Sequence, residues 1–334
     1  MSESVTISTP SRIHFGLLRF AQEEGPSYGG LGMMIDRPRW NVTMSRDDQW
    51  SAAGPSAERA LRVARRVQAH GHLPEDLSPL RLEVRTAIPP HQGLGGGTQL
   101  DLAVAAGVRA LSGLPPAPAA ELATLTGRGQ RSAVGSHGFA HGGLIWETGR
   151  RPGESLGTLA ERVALPDQWR IVLITPPGDA GLSGEPERSA FEQLPPVPET
   201  AAVRLTILAV QHILPAARGG RLDAFGQAIY EYGRLAGESF AAVQGGPYAS
   251  PEVEQCVQEI RRLGVGGVGQ SSWGPTVFAI VGDQDGAEWI AAEMRKRPEW
   301  AQCEIHIAGP DNHGARLESA APLQQAVSHQ RLSQ

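Results

Sequence analysis

Residues 88–111, IPPHQGLGGGTQLDLAVAAGVRAL, constrain this chain more than any other stretch. They read as a strand end, a glycine-rich turn and a long apolar helix from about 99 to 112. Glycines stand at Gly93, Gly95, Gly96 and Gly97. Glycine reaches positive φ without a Cβ clash, so successive backbone N–H groups can converge on an anion. A helix directly behind the turn adds its positive end. The loop 93–99, with Leu94 inside it and Thr98 and Gln99 as further donors, reads as a phosphate cradle. The plainer alternative is a turn before a capped helix. Asp101 falls in the first helical turn, where it either complements the dipole or holds Mg²⁺ against a pyrophosphate.

The turn lacks the lysine of a P-loop. The chain has one lysine, Lys296 in EMRKRPEW, so a phosphate-binding or Schiff-base lysine would have to be that residue, on a surface-like helix. The net charge is −5 without a basic run, which speaks against nucleic acid as a partner. No stretch approaches about 18 continuous apolar residues, so no membrane span is expected. The start MSESVTISTPSR has no signal pattern, and Cys256 and Cys303 form no CxxC motif or disulfide framework. These features suit a reducing cytoplasm.

Two α/β blocks are expected, at 1–150 and 151–310, with a mobile tail at 311–334 and the ligand in the cleft between the blocks. SVTISTP and SRIHFGLL read as one extended run, with Arg12 and His14 on one face and Ile13 and Phe15 on the other. Arg12 and His14 are either a surface pair or a substrate pair, and arginine grips phosphate or carboxylate as a fork. YGGLGMMIDRPRWNVTMS is a second strand and carries Asp36. SAERALRVARRVQAHG is helical, and RGQRSAVGSHGFAHGGLIWETG is a glycine-rich loop entering a strand. His137 and His141 have the i,i+4 spacing of a metal pair, but Gly138, Gly142 and Gly143 argue against a helix there. Residues 149–166 read as a connector.

In the second block, GVGGVGQSSWGPTVFAIVGD is another glycine-rich loop running into a strand. It offers Gly269, Gln270, Ser271, Ser272 and Trp273 as polar donors and a flat apolar surface, or else it is a tight turn around a core tryptophan. SGEPERSAF sets Glu185, Glu187 and Arg188 after a Pro/Gly-rich loop, as an acidic helix start or as substrate ligands. No GxSxG, HExxH or zinc spacing occurs, which favours positioning and electrostatics over a covalent intermediate.

PPHQGLGGGTQLDLAVA resembles the second motif of the GHMP kinase superfamily, roughly PxxxGLGSSA, with Pro89 as its opening proline. More closely, SRIHFGLL, YGGLGMMID, GLGGGTQL, HGFAHGGLI, PPGDAGLSGEPERSAF and GVGQSSWGPTVFAIV, in order from about 11 to 282, resemble the β-ribofuranosylaminobenzene 5′-phosphate synthase family. The resemblance implies an α+β, two-domain GHMP-kinase-like fold. The N-terminal domain would be of the ribosomal-protein-S5-like type and the C-terminal one ferredoxin-like. It implies condensation of 5-phosphoribosyl 1-diphosphate with 4-aminobenzoate, releasing CO₂ and pyrophosphate, at the entry to tetrahydromethanopterin. It also implies Mg²⁺, with Asp101 and Asp36 as ligands by position, and a cytoplasmic homodimer.

Arg12, His14, Ser271 and Ser272 are the expected catalytic set. The loop 93–99, Gly269, Gln270, Trp273 and Arg188 are the expected substrate contacts. Kinases of the superfamily carry hydroxyl residues where this chain has Gly96 and Gly97, and those hydroxyls help hold Mg²⁺·ATP. A small-molecule kinase is therefore the second reading. A noncatalytic ligand-binding relative is the third, since GQRSAVGS after Gly127 departs from the Gly-Thr-Ser-Gly-Ile-Gly pattern.

Overall fold

The computed structural model describes residues 4–22, 25–70, 73, 79–177 and 194–320. Arg188, with Glu185 and Glu187, lies outside the described residues.

Two long strands organise the first half. β1 (Ser4–Leu17) and β2 (Gly30–Arg46) pair antiparallel, from Ser4 opposite Ser45 to Leu17 opposite Gly30. Alternation in β1 sends Val5 and Ile7 into the core. The register shifts between Thr9 and Ser11 and again between His14 and Gly16. Such bulges re-aim side chains, so Phe15, expected opposite His14, reaches the same cavity. β3 (Ser51–Ala53) and β4 (Leu80–Thr86) extend the sheet beyond β2.

Three helices cover or flank this sheet: α1 (Ala57–His70), α2 (Gly96–Leu111) and α3 (Ala119–Thr126). α2 packs on β1 and β2 with most of its residues buried, which explains why its sequence is apolar nearly all round.

The segment read as a glycine-rich loop contains a helix, α4 (Val134–His141). Gly138 does not break it. Its missing Cβ makes room for Met34, whose sulfur would lie 2.2 Å from such an atom. Tertiary packing here outweighs the weak helix propensity of glycine. The expected connector at 149–166 likewise contains a strand, β6 (Leu159–Val163), paired with β5 (Leu144–Glu147), which pairs with β2. The break expected at residue 150 therefore falls inside the first sheet. Residues 316–320 of the expected tail form β11 (Arg316–Ala320), an antiparallel neighbour of β1, and Asp311 is buried.

The second sheet is four-stranded and antiparallel, in the order β10-β7-β9-β8. Its members are β7 (Arg170–Thr175), β8 (Gly267–Gln270), β9 (Val277–Val281) and β10 (Glu304–Ala308). That is the ferredoxin-like order. GVGQ, expected as loop, is thus the strand β8, and the turn is confined to the residues after it.

Between β7 and β8 come α5 (Glu199–Ile207), a π-helical turn (Leu208–Ile213), α6 (Leu214–Arg218), α7 (Leu222–Glu238), α8 (Ala241–Gln244) and α9 (Pro251–Arg262). α10 (Gln284–Arg295) follows β9. The run Glu199–Arg218 is long and apolar enough to cross a membrane by length and composition. One face of it packs into the core, burying Ala202, Leu205, Ala209 and Ile213, while Val203, Ile207 and Val210 on the other face are exposed.

α7 joins the two sheets. It packs on β8 and on β1, and a Cβ on Gly16 would lie 2.3 Å from that of Ala236. Gly16 thus lets β1 approach α7 more closely than a side chain there would allow, and both Gly16 and Ala236 line a cavity.

Candidate functional site

A cavity of about 750 Å³ opens where β1, the segment before α4, α7 and the turn after β8 meet. Arg12 and His14 both line it, from β1. The Arg12 N–H donates to Leu94 O (2.9 Å), which fastens β1 to the phosphate loop. Its side chain lies on Gly95, where a Cβ would stand 3.0 Å from the guanidinium Nε. Gly95 itself is left-handed (φ 71°) and precedes the first turn of α2. A helix N-terminus leaves its first N–H groups without intrahelical partners, so the loop presents donors beside Arg12.

The two glycine-rich loops touch. A Cβ on Gly93 would lie 2.1 Å from Ser271 O, and one on Gly274 would lie 2.2 Å from Gly93 N. Ser271 is fully buried between them. Its hydroxyl donates to Gly93 O (2.9 Å) and accepts from His14 N–H (3.2 Å). Expected as a catalytic group, Ser271 is instead a latch, with its oxygen engaged on both sides. Ser272 does line the cavity, in a left-handed conformation (φ 56°) held by its N–H on His14 O (3.1 Å). Gln270 also lines it, donating to Ser272 O (3.0 Å) and accepting from Ala249 N–H (2.8 Å).

The remaining expected contacts divide. Thr98 lines the cavity, whereas Leu94 is core. Gln99 is fully buried and donates to Gly135 O (2.8 Å), holding α4 against α2. Gly96 O accepts from the Trp40 indole (2.8 Å), and Gly97 lies against Arg59. Gly269 packs on the Phe278 ring. Trp273 lines the cavity and stacks edge-on against Phe240 at 5.0 Å, which in turn meets Phe20 at 5.0 Å. His137 donates to Gly157 O (2.7 Å), and no group of His, Cys, Asp and Glu suited to a metal ion occurs among the described residues.

Neither expected Mg²⁺ ligand suits the ion. Asp101 is buried, and both its oxygens are taken. Arg59 donates from Nε to Oδ1 (2.8 Å) and from Nη2 to Oδ2 (3.0 Å), and Arg128 donates from Nε to Oδ2 (2.6 Å). Burial pushes this carboxyl up, against the pull of Arg59. Asp36 lies outside the cavity, where its Oδ1 accepts from Gly309 N–H (2.8 Å) and ties β2 to the chain after β10. Among the described residues the cavity is lined by Arg12, Arg128 and Arg131 and by no carboxylate.

Sequence reasoning missed the acid behind the cavity wall. Glu147 is 1% exposed at the end of β5. It accepts from Ala133 N–H (3.0 Å), Gly149 N–H (2.9 Å) and the Ser132 hydroxyl (3.4 Å), while His14 Nε2 lies 3.0 Å from Ser132 Oγ. The buried chain Glu147–Ser132–His14 thus ends in the cavity. Its one sequence signal is an acid closing the otherwise apolar strand LIWE.

Burial raises the Glu147 carboxyl to about 7, against its three donors, and burial beside Arg12 lowers His14 well below its ordinary range. A protonated Glu147 must itself donate, and Ser132 Oγ is the acceptor in reach. The hydrogen bonds along the chain therefore reverse direction when Glu147 titrates.

A raised carboxyl pKa favours the native state at low pH and loses that contribution as pH rises through the native value. Between about 4.5 and about 7, Glu147 costs on the order of 3 kcal/mol of stability. His14 acts oppositely, costing stability as pH falls below its ordinary value. Denaturant unfolding from pH 5 to 8 should show the wild type losing stability relative to Glu147→Gln as pH rises. Parallel curves for the two proteins would sink this reading.

Residues 58–143 match the GHMP kinases N terminal domain and residues 213–299 the GHMP kinases C terminal domain. The chain is 30% identical over 302 residues to the β-ribofuranosylphenol 5′-phosphate synthase of Methanothermobacter thermautotrophicus, covering 84% of this chain and 89% of that one. It is 27% identical over 329 residues to the Archaeoglobus fulgidus protein of the same name, covering 93% and 99%. Among solved structures it is similar to homoserine kinase from Cytophaga hutchinsonii (TM-score 0.67, 16% identity, 95% of this chain and 98% of that one). It is similar too to mevalonate diphosphate decarboxylase from Staphylococcus aureus (TM-score 0.67, 14% identity, 96% and 99%).

Proposed function

The chain belongs to the β-ribofuranosylphenol 5′-phosphate synthase family, and from that premise we propose that it joins 5-phosphoribosyl 1-diphosphate to a para-substituted benzoate through carbon. It acts as a decarboxylating pentosyltransferase, cytoplasmic and homodimeric, in tetrahydromethanopterin synthesis. The observation that carries this reading is the polarity of the cavity along β1. Arg12 meets the glycine loop at one end, and Leu17 and Phe20 meet Phe240 and Trp273 at the other. Arg12 and Leu17 are five steps apart along the strand, roughly 16 Å, enough for a phosphorylated sugar and a ring end to end. Charged phosphate suits the first end and a flat aromatic ring the second.

The step follows from that arrangement. The bond from C1′ to the diphosphate oxygen breaks, and the leaving group takes the electron pair. Its charge develops beside Arg12 and the N-terminus of α2. The ring carbon that bears the carboxylate, made electron-rich by the para substituent, forms the new bond to C1′. The bond from ring to carboxylate then breaks, its electron pair restores aromaticity, and CO₂ departs. No net proton is removed, so the site needs no strong base. Neutral His14 and Ser132 orient the acceptor through hydrogen bonds.

The acceptor is 4-aminobenzoate or 4-hydroxybenzoate, and the relatives' name, with its phenol, favours the second. Carboxyl-labelled forms of each, incubated with the chain and phosphoribosyl diphosphate, decide the matter. Labelled CO₂ should appear only when both substrates are present. If neither acid releases it from a folded chain that binds phosphoribosyl diphosphate, the proposal fails. A kinase on this fold would instead gain thermal stability from ATP by mass action. Gly96 and Gly97, which offer no hydroxyl to Mg²⁺·ATP, speak against that reading.

A further inference from the structure

The phosphate loop is rich in glycine where arginines lie against it. A Cβ on Gly95 would stand 3.0 Å from Arg12 Nε, and one on Gly97 would stand 3.0 Å from Arg59 Nη2. Arg59 also donates from Nη2 to Gly97 O (3.3 Å), so α1 is tied to the loop through the same side chain. Behind the loop, Asp101 holds Arg59 and Arg128 together, and Arg128 lines the cavity. The carboxylate that position suggests as a metal ligand is thus the shared counter-charge of two guanidiniums. Mg²⁺ demands near-octahedral oxygens at about 2.0–2.1 Å, a distance the ion could reach only by displacing two charge-assisted pairs from a buried acid.

Resting on the reading of this cavity as a phosphoribosyl diphosphate site, we propose that arginine here meets the charge of the diphosphate in place of a protein-held metal. Arg128, held by Asp101 Oδ2 through Nε and Nη2, is the principal diphosphate ligand through its remaining Nη1, with Arg12 across the loop. Mg²⁺ reaches the cavity only as the counter-ion of the diphosphate and takes no ligand from Asp101 or Asp36.

The test uses the full chain, inorganic pyrophosphate as ligand and Mn²⁺ as a paramagnetic stand-in for Mg²⁺. Calorimetry should show pyrophosphate binding that differs by less than about tenfold between EDTA and Mg²⁺, and that Arg128→Gln weakens by more than about tenfold. The Mn²⁺ resonance should be unchanged by the chain alone. Stoichiometric Mn²⁺ binding that Asp101→Asn removes would overturn the inference and leave the functional reading intact. So would pyrophosphate binding that EDTA abolishes and Arg128→Gln does not alter. Absence of pyrophosphate binding in either buffer would overturn the functional reading and this inference with it. Should Arg128→Gln fail to fold, Arg128→Lys keeps the charge without the fork and should show a loss of the same sign.

Discussion

Turnover of Arg12→Ala should fall by about a hundred- to a thousandfold, with the fold retained. The backbone N–H of Arg12 that fastens β1 to Leu94 O survives the substitution, as do the strand pairs on either side. What disappears is a guanidinium seated on Gly95 at the end of the cavity where the leaving group gathers charge. A donor aimed at developing charge matters more in the transition state than in the bound substrate, so kcat should fall further than KM rises. His212→Ala, on an exposed side chain of the π-helical turn, should leave both unchanged. Steady-state kinetics of the two variants settle the point. Near-native rates for both would remove Arg12 from the site.

A large loss of stability should come from Gly93→Ala. Its φ of 77° alone costs an L-residue about 1–2 kcal/mol. The added methyl would also meet Ser271 O at 2.1 Å, a backbone atom held by the buried contact between the two loops. Overpacking of that kind costs a further 1–3 kcal/mol or so, and the total should be about 3 kcal/mol or more. Gly153 offers an internal control. Its φ is 87°, yet no atom lies within 4 Å of the position its Cβ would take. Gly153→Ala should therefore show the conformational cost without the clash. Equal unfolding free energies for the two variants would mean that the loops part easily, contrary to the description above. Activity should follow the same order, since the Gly93 loop carries the N-terminus of α2.

How much of this was legible in the sequence depended on the range of the interaction. Strands β1, β2 and β4 and helices α1 and α2 follow from local periodicity, and the phosphate loop follows from glycine spacing. α4 was hidden because its Gly138 serves packing on Met34 of β2, a contact about a hundred residues away in the chain. β6 and β11 were hidden because short polar strands exist only through their neighbours. The site shows the same division. Arg12, His14, Ser272 and Trp273 come from motif segments and do line the cavity. Arg59, Arg128 and Ser132 act through partners far away in the chain, and no local pattern marks them, while Glu147 shows only as the acid that closes LIWE. Asp101 and Ser271 illustrate the converse. Each has the chemistry for a catalytic part and stands beside the cavity, but neighbours that only the folded chain supplies consume its hydrogen-bonding capacity.

The pairing of β1 with β11 has a consequence for biosynthesis. Ser4 to Ser8 leave the ribosome more than three hundred residues ahead of their partners, Ala320 to Arg316. Throughout that interval one hydrogen-bonding edge of β1 is open, and an open edge is a template for pairing with other chains. The nascent chain therefore has a built-in window of vulnerability. It closes only when five exposed residues, including Arg316 and Glu318, dock as the outermost strand. Truncation before residue 316 should leave the cavity residues in place yet yield a chain that aggregates during expression.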